Sequence, residues 1–507
     1  MKVKILNDFD TRSEIVFINA ENDDPRDSLT NLAQIRVQNK KQLVQIIRSQ
    51  SLVTKEEIGL PPTLAKRMKA NDGDLIHIMP RSKPASFDIV KRKYNEKITW
   101  TQDEIETIVR DVYEGNSTDL EMAAFTLALQ YEKLSRRESE FLTKSFAKFG
   151  NHIEFNEPVY DKHSIGGIPG NKVSLLIVPI IAAAGLLIPK TSSRAITSPS
   201  GTADTMEVLA NVSFSTEEIQ EIAPKSRGMI VWAGNLNLVP VDSEIITRVE
   251  RPLRLDPDTV IVASILSKKL STNVQNMVLD MPTGPGTKLE SREEGVSLSR
   301  AFVEIGQRVG INIECALTYA DQPVGHAIGP ALEAREALKT LQGNGPVSVR
   351  EKSVELAGIL LEMGKLAPRG QGSSVASDIL ESGKALEKFR EIIDYQGGNS
   401  KIKVDEIPVG NYSLEVTAPK DGYISHLSNK AVKQVASVLG CPLDLSAGME
   451  LHAKSGEFIK KGEPIIKLYS SSESKLDEAL KVFNESNFFK YEGMVLERIS
   501  NSIVSDQ

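Results

Sequence analysis

The sequence predicts a multidomain α/β protein. It should comprise a small β-rich N-terminal domain, a helical domain, a central α/β domain and an α+β C-terminal domain. Three observations predict this. The chain has 507 residues, more than one hydrophobic core organises. Between residues 88 and 150, serine and threonine capping boxes introduce apolar residues at helical spacing. From 158 onward, short apolar runs alternate with helical patterns, as in an α/β sheet.

Composition narrows the function classes. Hydrophobic residues make up 40% and charged residues 25%, an ordinary globular mixture. A net charge of −7, with no dense basic tract, speaks against a nucleic-acid partner. The two cysteines, Cys315 and Cys441, fit a reducing compartment and no disulfide framework. The six histidines are scattered, with no zinc-like spacing. The longest apolar run, residues 173–188, contains Pro179 and is shorter than the ~20 residues of a membrane span. No membrane association and a cytoplasmic location are the expectations.

Residues 1–84 form the first unit. Ile15-Val-Phe-Ile18 reads as a strand, and Asn71-Asp-Gly-Asp74 as a turn into a second, Leu75–Ile78. Residues 80–86 read as a linker. In the helical domain, 88–157, Thr118-Asp-Leu-Glu121 is a capping box before Leu120, Ala123, Ala124, Leu127 and Ala128. Ser135-Arg-Arg-Glu138 is another, before Leu142, Phe146 and Phe149. Residues 240–272 return to helical character. Ser264 and Lys268 are four apart, so on a helix they share a face.

The central domain, 158–405, carries the chemistry. Asp161-Lys-His-Ser-Ile-Gly-Gly-Ile-Pro-Gly-Asn-Lys-Val-Ser174 runs from a charged, small-residue turn into the apolar segment. Gly166, Gly167 and Gly170 leave backbone N–H groups open to an anion, and Lys162 adds positive charge. Ser164 and Ser174 add short hydroxyl donors. We read this stretch as a phosphate cradle; a glycine-rich turn before a buried helix is the alternative. It matches neither the P-loop nor the dinucleotide fingerprint.

Thr191-Ser-Ser-Arg-Ala-Ile-Thr-Ser-Pro-Ser-Gly-Thr202 crowds hydroxyls around Arg194, which suits an oxygen-rich anionic ligand. Asn276–Asp280 reads as a buried strand. It opens into the Pro/Gly loop 282–288 carrying Lys288, and open α/β sheets bind ligands at such strand ends. In the C-terminal domain, 406–507, turns at 418–422 and 456–462 suggest hairpins. They resemble biotin- and lipoyl-carrier folds but lack their Met-Lys-Met, so no cofactor attachment is expected.

Asp161-Lys-His-Ser-Ile-Gly-Gly, the loop ending Ser-Gly-Thr202, and Ala263-Ser-Ile-Leu-Ser-Lys-Lys269 together resemble the thymidine and pyrimidine nucleoside phosphorylases. The resemblance covers roughly residues 88–490 and implies the class II nucleoside phosphorylase plan of a helical and an α/β domain. Four departures resemble instead the archaeal-type AMP phosphorylase branch. They are Gly-Ile-Pro-Gly-Asn-Lys after the paired glycines, a Ser/Thr-rich second loop, Val249 at the pyrimidine-contacting arginine's place, and the extra N-terminal domain. That branch splits nucleoside 5′-monophosphates with inorganic phosphate as co-substrate and no cofactor.

Carried over by position, the resemblance implies nucleotide contacts at Gly167, Ser193, Arg194, Ala195, Ile196, Thr197, Ser198, Thr202, Ser264 and Lys288. Its proton donor falls on Asp256. Its phosphate contacts fall on Lys162, Ser164, Ser174, Ser192 and Thr202, so Thr202 stands in both sets. The residues alone also read Asp256-Pro257 as a helix cap. A homodimeric core, assembled further through the N-terminal domain, is the implied partner state.

Overall fold

The computed structural model describes residues 1–9, 11, 14–22, 32–37, 40–81, 84–132, 134–195, 198–255 and 257–498. The chain divides into two compact units, 1–150 with 239–268, and 151–238 with 269–507.

The first unit opens with a six-stranded sheet. Its central strand Lys40–Ser49 pairs in parallel with Ile15–Asn19 and antiparallel with Leu32–Val37. Val16, Ile35, Ile58 and Leu60 are fully buried in its core. Second come the helices Ala85–Glu96, Gln102–Tyr113, Asp119–Tyr131 and Arg136–Lys148. Both expected capping boxes form, Thr118 with Glu121 and Ser135 with Glu138. Glu138 also accepts from Lys93 Nζ at 2.6 Å and from the Trp100 N–H at 2.8 Å. The cap thereby becomes part of the helical core. One residue differs clearly from expectation. Ala128 is buried as expected, but Leu120 is 83% exposed, and Met122, Phe125 and Leu129 also point inward. Phe125 stacks on Trp100, with ring centroids 5.8 Å apart. The buried face is the one that brings Phe125 onto Trp100.

The second unit is built on parallel strands. Asn312–Tyr319 pairs with Val274–Thr283, which pairs with Val159–Ser164. A bridge from Val159 to Leu187 leads on to Ile188–Ser192, which pairs with Gly228–Trp232. The helix Ser174–Ala183 is buried along its first nine residues and packs on the helices Val347–Met363 and Lys384–Tyr395. Its apolarity is that of a core element. Among the described residues no helix is long and apolar enough to cross a membrane.

This topology places the site. The glycine turn, the hydroxyl-rich loop and the Pro/Gly loop each follow the C-terminal end of one of three adjacent parallel strands. They therefore emerge side by side at one sheet edge, where such folds take ligands.

Candidate active site

The glycine turn has the backbone its residues demand. Gly166, Gly167 and Gly170 sit at φ +86°, +92° and +76°, a region closed to most side chains. A Cβ on Gly170 would lie 2.4 Å from the Val324 carbonyl oxygen. Lys162, at the strand end, is 2% exposed, and its Nζ lies 3.5 Å from Asp280 Oδ2 on the neighbouring strand.

Asp280 is the hub of the cradle. Ser164 Oγ and Asn171 Nδ2 each donate to its Oδ2 at 3.0 Å. Thr318 Oγ1 donates to its Oδ1 at 2.6 Å. Lys352 Nζ lies 3.1 Å from the same Oδ1. Burial pushes this carboxyl up, but Lys352 and Lys162 outweigh it and hold it well below its ordinary range. Burial also pushes the Lys162 ammonium down, opposed by Asp280.

One residue earlier, buried Asp161 faces two further lysines, Lys269 at 2.5 Å and Lys190 at 3.6 Å. Burial pushes Lys190 down to about 7 against the pull of Asp161, with Lys269 and Lys162 lowering it further. Four buried lysines thus meet two buried aspartates beneath the glycine turn. Such an excess of positive charge is costly without an anion.

The hydroxyl-rich loop is sewn together by Asp204. Its Oδ2 accepts from the N–H groups of Ala195 at 2.7 Å and Gly201 at 2.9 Å. Arg194 is held by Glu207, with one contact at 2.7 Å, and by Asp204 at 3.2 Å. Its guanidinium lies 4.7 Å from the Trp232 ring centroid. Ser192 and Ser193 stand at the strand end, Ser198 Oγ donates to the Ser200 carbonyl at 3.1 Å, and Thr202 opens a short helix. Ser174 is buried at the first turn of its own helix.

The Pro/Gly loop meets the glycine turn. A Cβ on Gly167 would lie 3.2 Å from the Lys288 backbone nitrogen. Lys433, on the helix Asn429–Leu439, donates to the Gly286 carbonyl at 2.8 Å and the Gly167 carbonyl at 3.2 Å. Asn429 donates to the Ala320 and Pro285 carbonyls at 2.8 and 3.2 Å.

The other unit holds Ser264. Its hydroxyl donates to Asp242 Oδ2 at 2.9 Å and accepts from Lys268 Nζ at 2.7 Å. The shared helical face is therefore real, and a buried carboxylate organises it. Ile196, Thr197 and Asp256 lie outside the described residues. Lys162, Ser164, Ser174, Gly167 and Lys288 come together around adjoining loops of the second unit. Ser192 to Ala195, Ser198 and Thr202 stand on the next strand's loop, and Ser264 belongs to the first unit.

Three family descriptions match the chain. They are a glycosyl transferase family helical bundle domain over residues 87–150, a glycosyl transferase family a/b domain over 156–386, and a pyrimidine nucleoside phosphorylase C-terminal domain over 423–489. An AMP phosphorylase of Thermococcus kodakarensis is 43% identical over 99% of both chains. The chain belongs to the AMP phosphorylase family. Other AMP phosphorylases, from Pyrococcus furiosus and Methanosarcina mazei, are 43% identical over 99% and 46% identical over 84% of both chains. Anthranilate phosphoribosyltransferase of Thermus thermophilus superposes with a TM-score of 0.52 at 17% identity. It covers 61% of this chain and 100% of its own, a likeness of fold.

Within this AMP phosphorylase fold, sequence reasoning missed the acids. Asp161 and Asp280 were in view, one beside Lys162 and one closing a strand, but their pairing depends on strand register. Lys352 and Lys433 carry no local signal at all. They reach the site from helices 188 and 269 residues later in the chain than Ser164.

Proposed function

We infer that this chain catalyses phosphorolysis of AMP. Inorganic phosphate replaces adenine at C1′ of the ribose, giving adenine and ribose 1,5-bisphosphate; CMP and UMP are further substrates in this reading. The match to AMP phosphorylases along 99% of both chains, N-terminal domain included, carries the inference.

The chemistry fits the site. Phosphate must be gathered beside C1′ yet keep its nucleophilicity. Lysines that share their charge with Asp280 and Asp161 suit this better than a bare cationic cluster. Holding the two reactants together can lower the barrier by ~7–11 kcal/mol at best. The phosphate then also stabilises the oxocarbenium-like transition state. Lys162, Ser164, Ser174 and Ser192 are assigned to phosphate. Gly167, residues 193–198, Ser264 and Lys288 are assigned to the nucleotide, and Thr202 to either.

The leaving base needs a proton, and Asp256 is its assigned donor. An unperturbed aspartate, with pKa ~3.9, would be protonated about one part in a thousand at neutral pH. Apolar surroundings must therefore raise it. The 5′-phosphate is assigned to the Ser193–Ser198 loop and Lys288. Arg194 would contribute by exchanging its Glu207 partner for a phosphate oxygen. The assembled state in this reading is a homodimeric core enlarged through residues 1–84.

The test is base release from AMP, CMP, UMP, adenosine and thymidine, with and without phosphate. Phosphate-dependent release from the monophosphates alone is expected. Release from thymidine alone would assign the chain to nucleoside phosphorolysis instead.

A further inference from the structure

We propose that Lys352, on the helix Val347–Met363, is a second lysine of the phosphate-binding site, and that Asp280 positions it together with Lys162. The proposal rests on the phosphorolysis reading above.

The side chain of Lys352 is nine-tenths buried. Its ammonium lies 3.1 Å from Asp280 Oδ1. Yet no acceptor among the described residues meets it in hydrogen-bond geometry. A lysine ammonium has three N–H groups to satisfy, and a carboxylate offers about four lone-pair sites. Asp280 is already met by Ser164, Asn171 and Thr318 and stands 3.5 Å from Lys162. With three donors bonded to it and Lys162 beside it, Asp280 leaves the three N–H groups of Lys352 unsatisfied. A buried cation in that position costs several kcal/mol unless something anionic supplies the missing acceptors.

The groups around it fix the chemistry of that anion. Lys162 and Ser164, on the same carboxylate, open the glycine turn with its left-handed glycines. Two ammonium groups flanking one carboxylate carry net positive charge. An oxyanion with several equivalent oxygens can bridge them, as a phosphate does. A surplus lysine kept only for packing would find its hydrogen bonds within the protein, as buried Lys172 does with Val324, Ala327 and Glu336. Phosphate can arrive as the free ion or as the 5′-phosphate of the nucleotide, and the two are separable by kinetics.

The substitution Lys352→Met keeps length and removes charge, and Asp280 retains Lys162 as counter-ion. Loss of one charge-assisted contact should raise the KM of the phosphate source it serves roughly 10- to 100-fold, with kcat changed far less. A rise confined to inorganic phosphate places Lys352 on the attacking ion. A rise confined to AMP places it on the 5′-phosphate. Lys352→Arg, which keeps the charge, should recover most of the loss. Both KM values within twofold of wild type would overturn the proposal.

Binding is read separately by the rise in unfolding temperature that inorganic phosphate or AMP confers. Wild type should be protected and Lys352→Met protected much less by the source it serves; equal protection by both would count against the proposal. This readout stands even if the wild-type enzyme releases no adenine, an outcome that would defeat the reaction assignment alone. Should the methionine variant not fold, crystals of the wild type soaked with phosphate and with AMP decide. Lys352 Nζ within hydrogen-bond reach of a phosphate oxygen supports the assignment, and an ammonium remote from every phosphate overturns it.

Discussion

Ser164 shows how little freedom the side chains of the glycine turn have. Its hydroxyl donates to Asp280 and accepts from the Gly166 N–H at 3.3 Å and Asn171 at 3.2 Å. With a single proton to give, it can donate to phosphate only by turning away from Asp280. Asp280 then depends more heavily on its two lysines. Asp280→Asn should therefore strand two buried cations and cost ~3–5 kcal/mol of stability. Added phosphate should recover part of that loss, as seen in the urea midpoint with and without the ion. Stability that ignores phosphate would argue against an anion site here. For the reaction itself, Asp256→Asn should lower kcat ~10²–10⁴-fold with little change in the KM of AMP. An unaltered kcat would remove Asp256 from the proton path. Arg194→Ala should weaken AMP use far more than phosphate use, and equal effects would place it outside the nucleotide pocket.

At the scale of elements, the hydroxyl-rich loop depends on one small residue. A Cβ on Gly201 would come within 2.6 Å of the Ala195 nitrogen and 2.8 Å of the Ser193 carbonyl oxygen. Gly201→Ala should push the loop open, raising the KM of AMP and costing ~1–3 kcal/mol. Elsewhere, the helix Pro330–Leu341 carries Glu333 fully buried. Burial raises its carboxyl to about 7, opposed by Lys172 and the Gly329 N–H, with Glu336 and Asp204 adding to the rise. The folded value lies above the ordinary 4.5, so the folded state holds this proton more tightly. That contribution is complete below about pH 4.5 and fades as pH climbs through 7. Glu333→Gln should flatten the decline in urea midpoint between pH 5 and 8. A slope matching wild type would show that Glu333 ionises freely.

Much at this scale was legible in the residues. The capping boxes, the buried strand before Pro282 and the three glycines announce themselves through local rules of backbone and hydrogen bonding. The face of the helix Asp119–Tyr131 did not, because Leu120 and Phe125 are both hydrophobic and the choice between them is made by tertiary packing, Trp100 included. Lys162 was legible as a charge beside the glycines, but neither Lys352 nor the pairing of these lysines with Asp161 and Asp280 was. A pairing such as Lys162 with Asp280 is set by which strands lie side by side, 118 residues apart in sequence.

At the scale of the molecule, the chain passes between its two units at residues 150–151, 238–239 and 268–269. The last of these boundaries falls within the helix Asp258–Ser271. The N-terminal sheet has its own closed core. A chain lacking residues 1–80 should keep phosphorolysis and form particles of fewer subunits, counted as the light-scattering mass divided by the mass of the shortened chain. An unchanged subunit number would separate assembly from that domain.

Lys433 and Asn429 tie the C-terminal portion of the chain to the candidate site, since their ammonium and amide clasp carbonyls of three loops: Gly167 of the glycine turn, Pro285 and Gly286 of the loop carrying Lys288, and Ala320 beyond the strand Asn312–Tyr319. A minimal version cut after residue 405 would retain every residue assigned to substrate and still lose the brace behind Gly167 and Gly286. Inhibitor screens, crystallisation trials and directed evolution on this enzyme accordingly need its carboxyl-terminal portion, and mutations there can tune nucleotide affinity without touching the nucleotide.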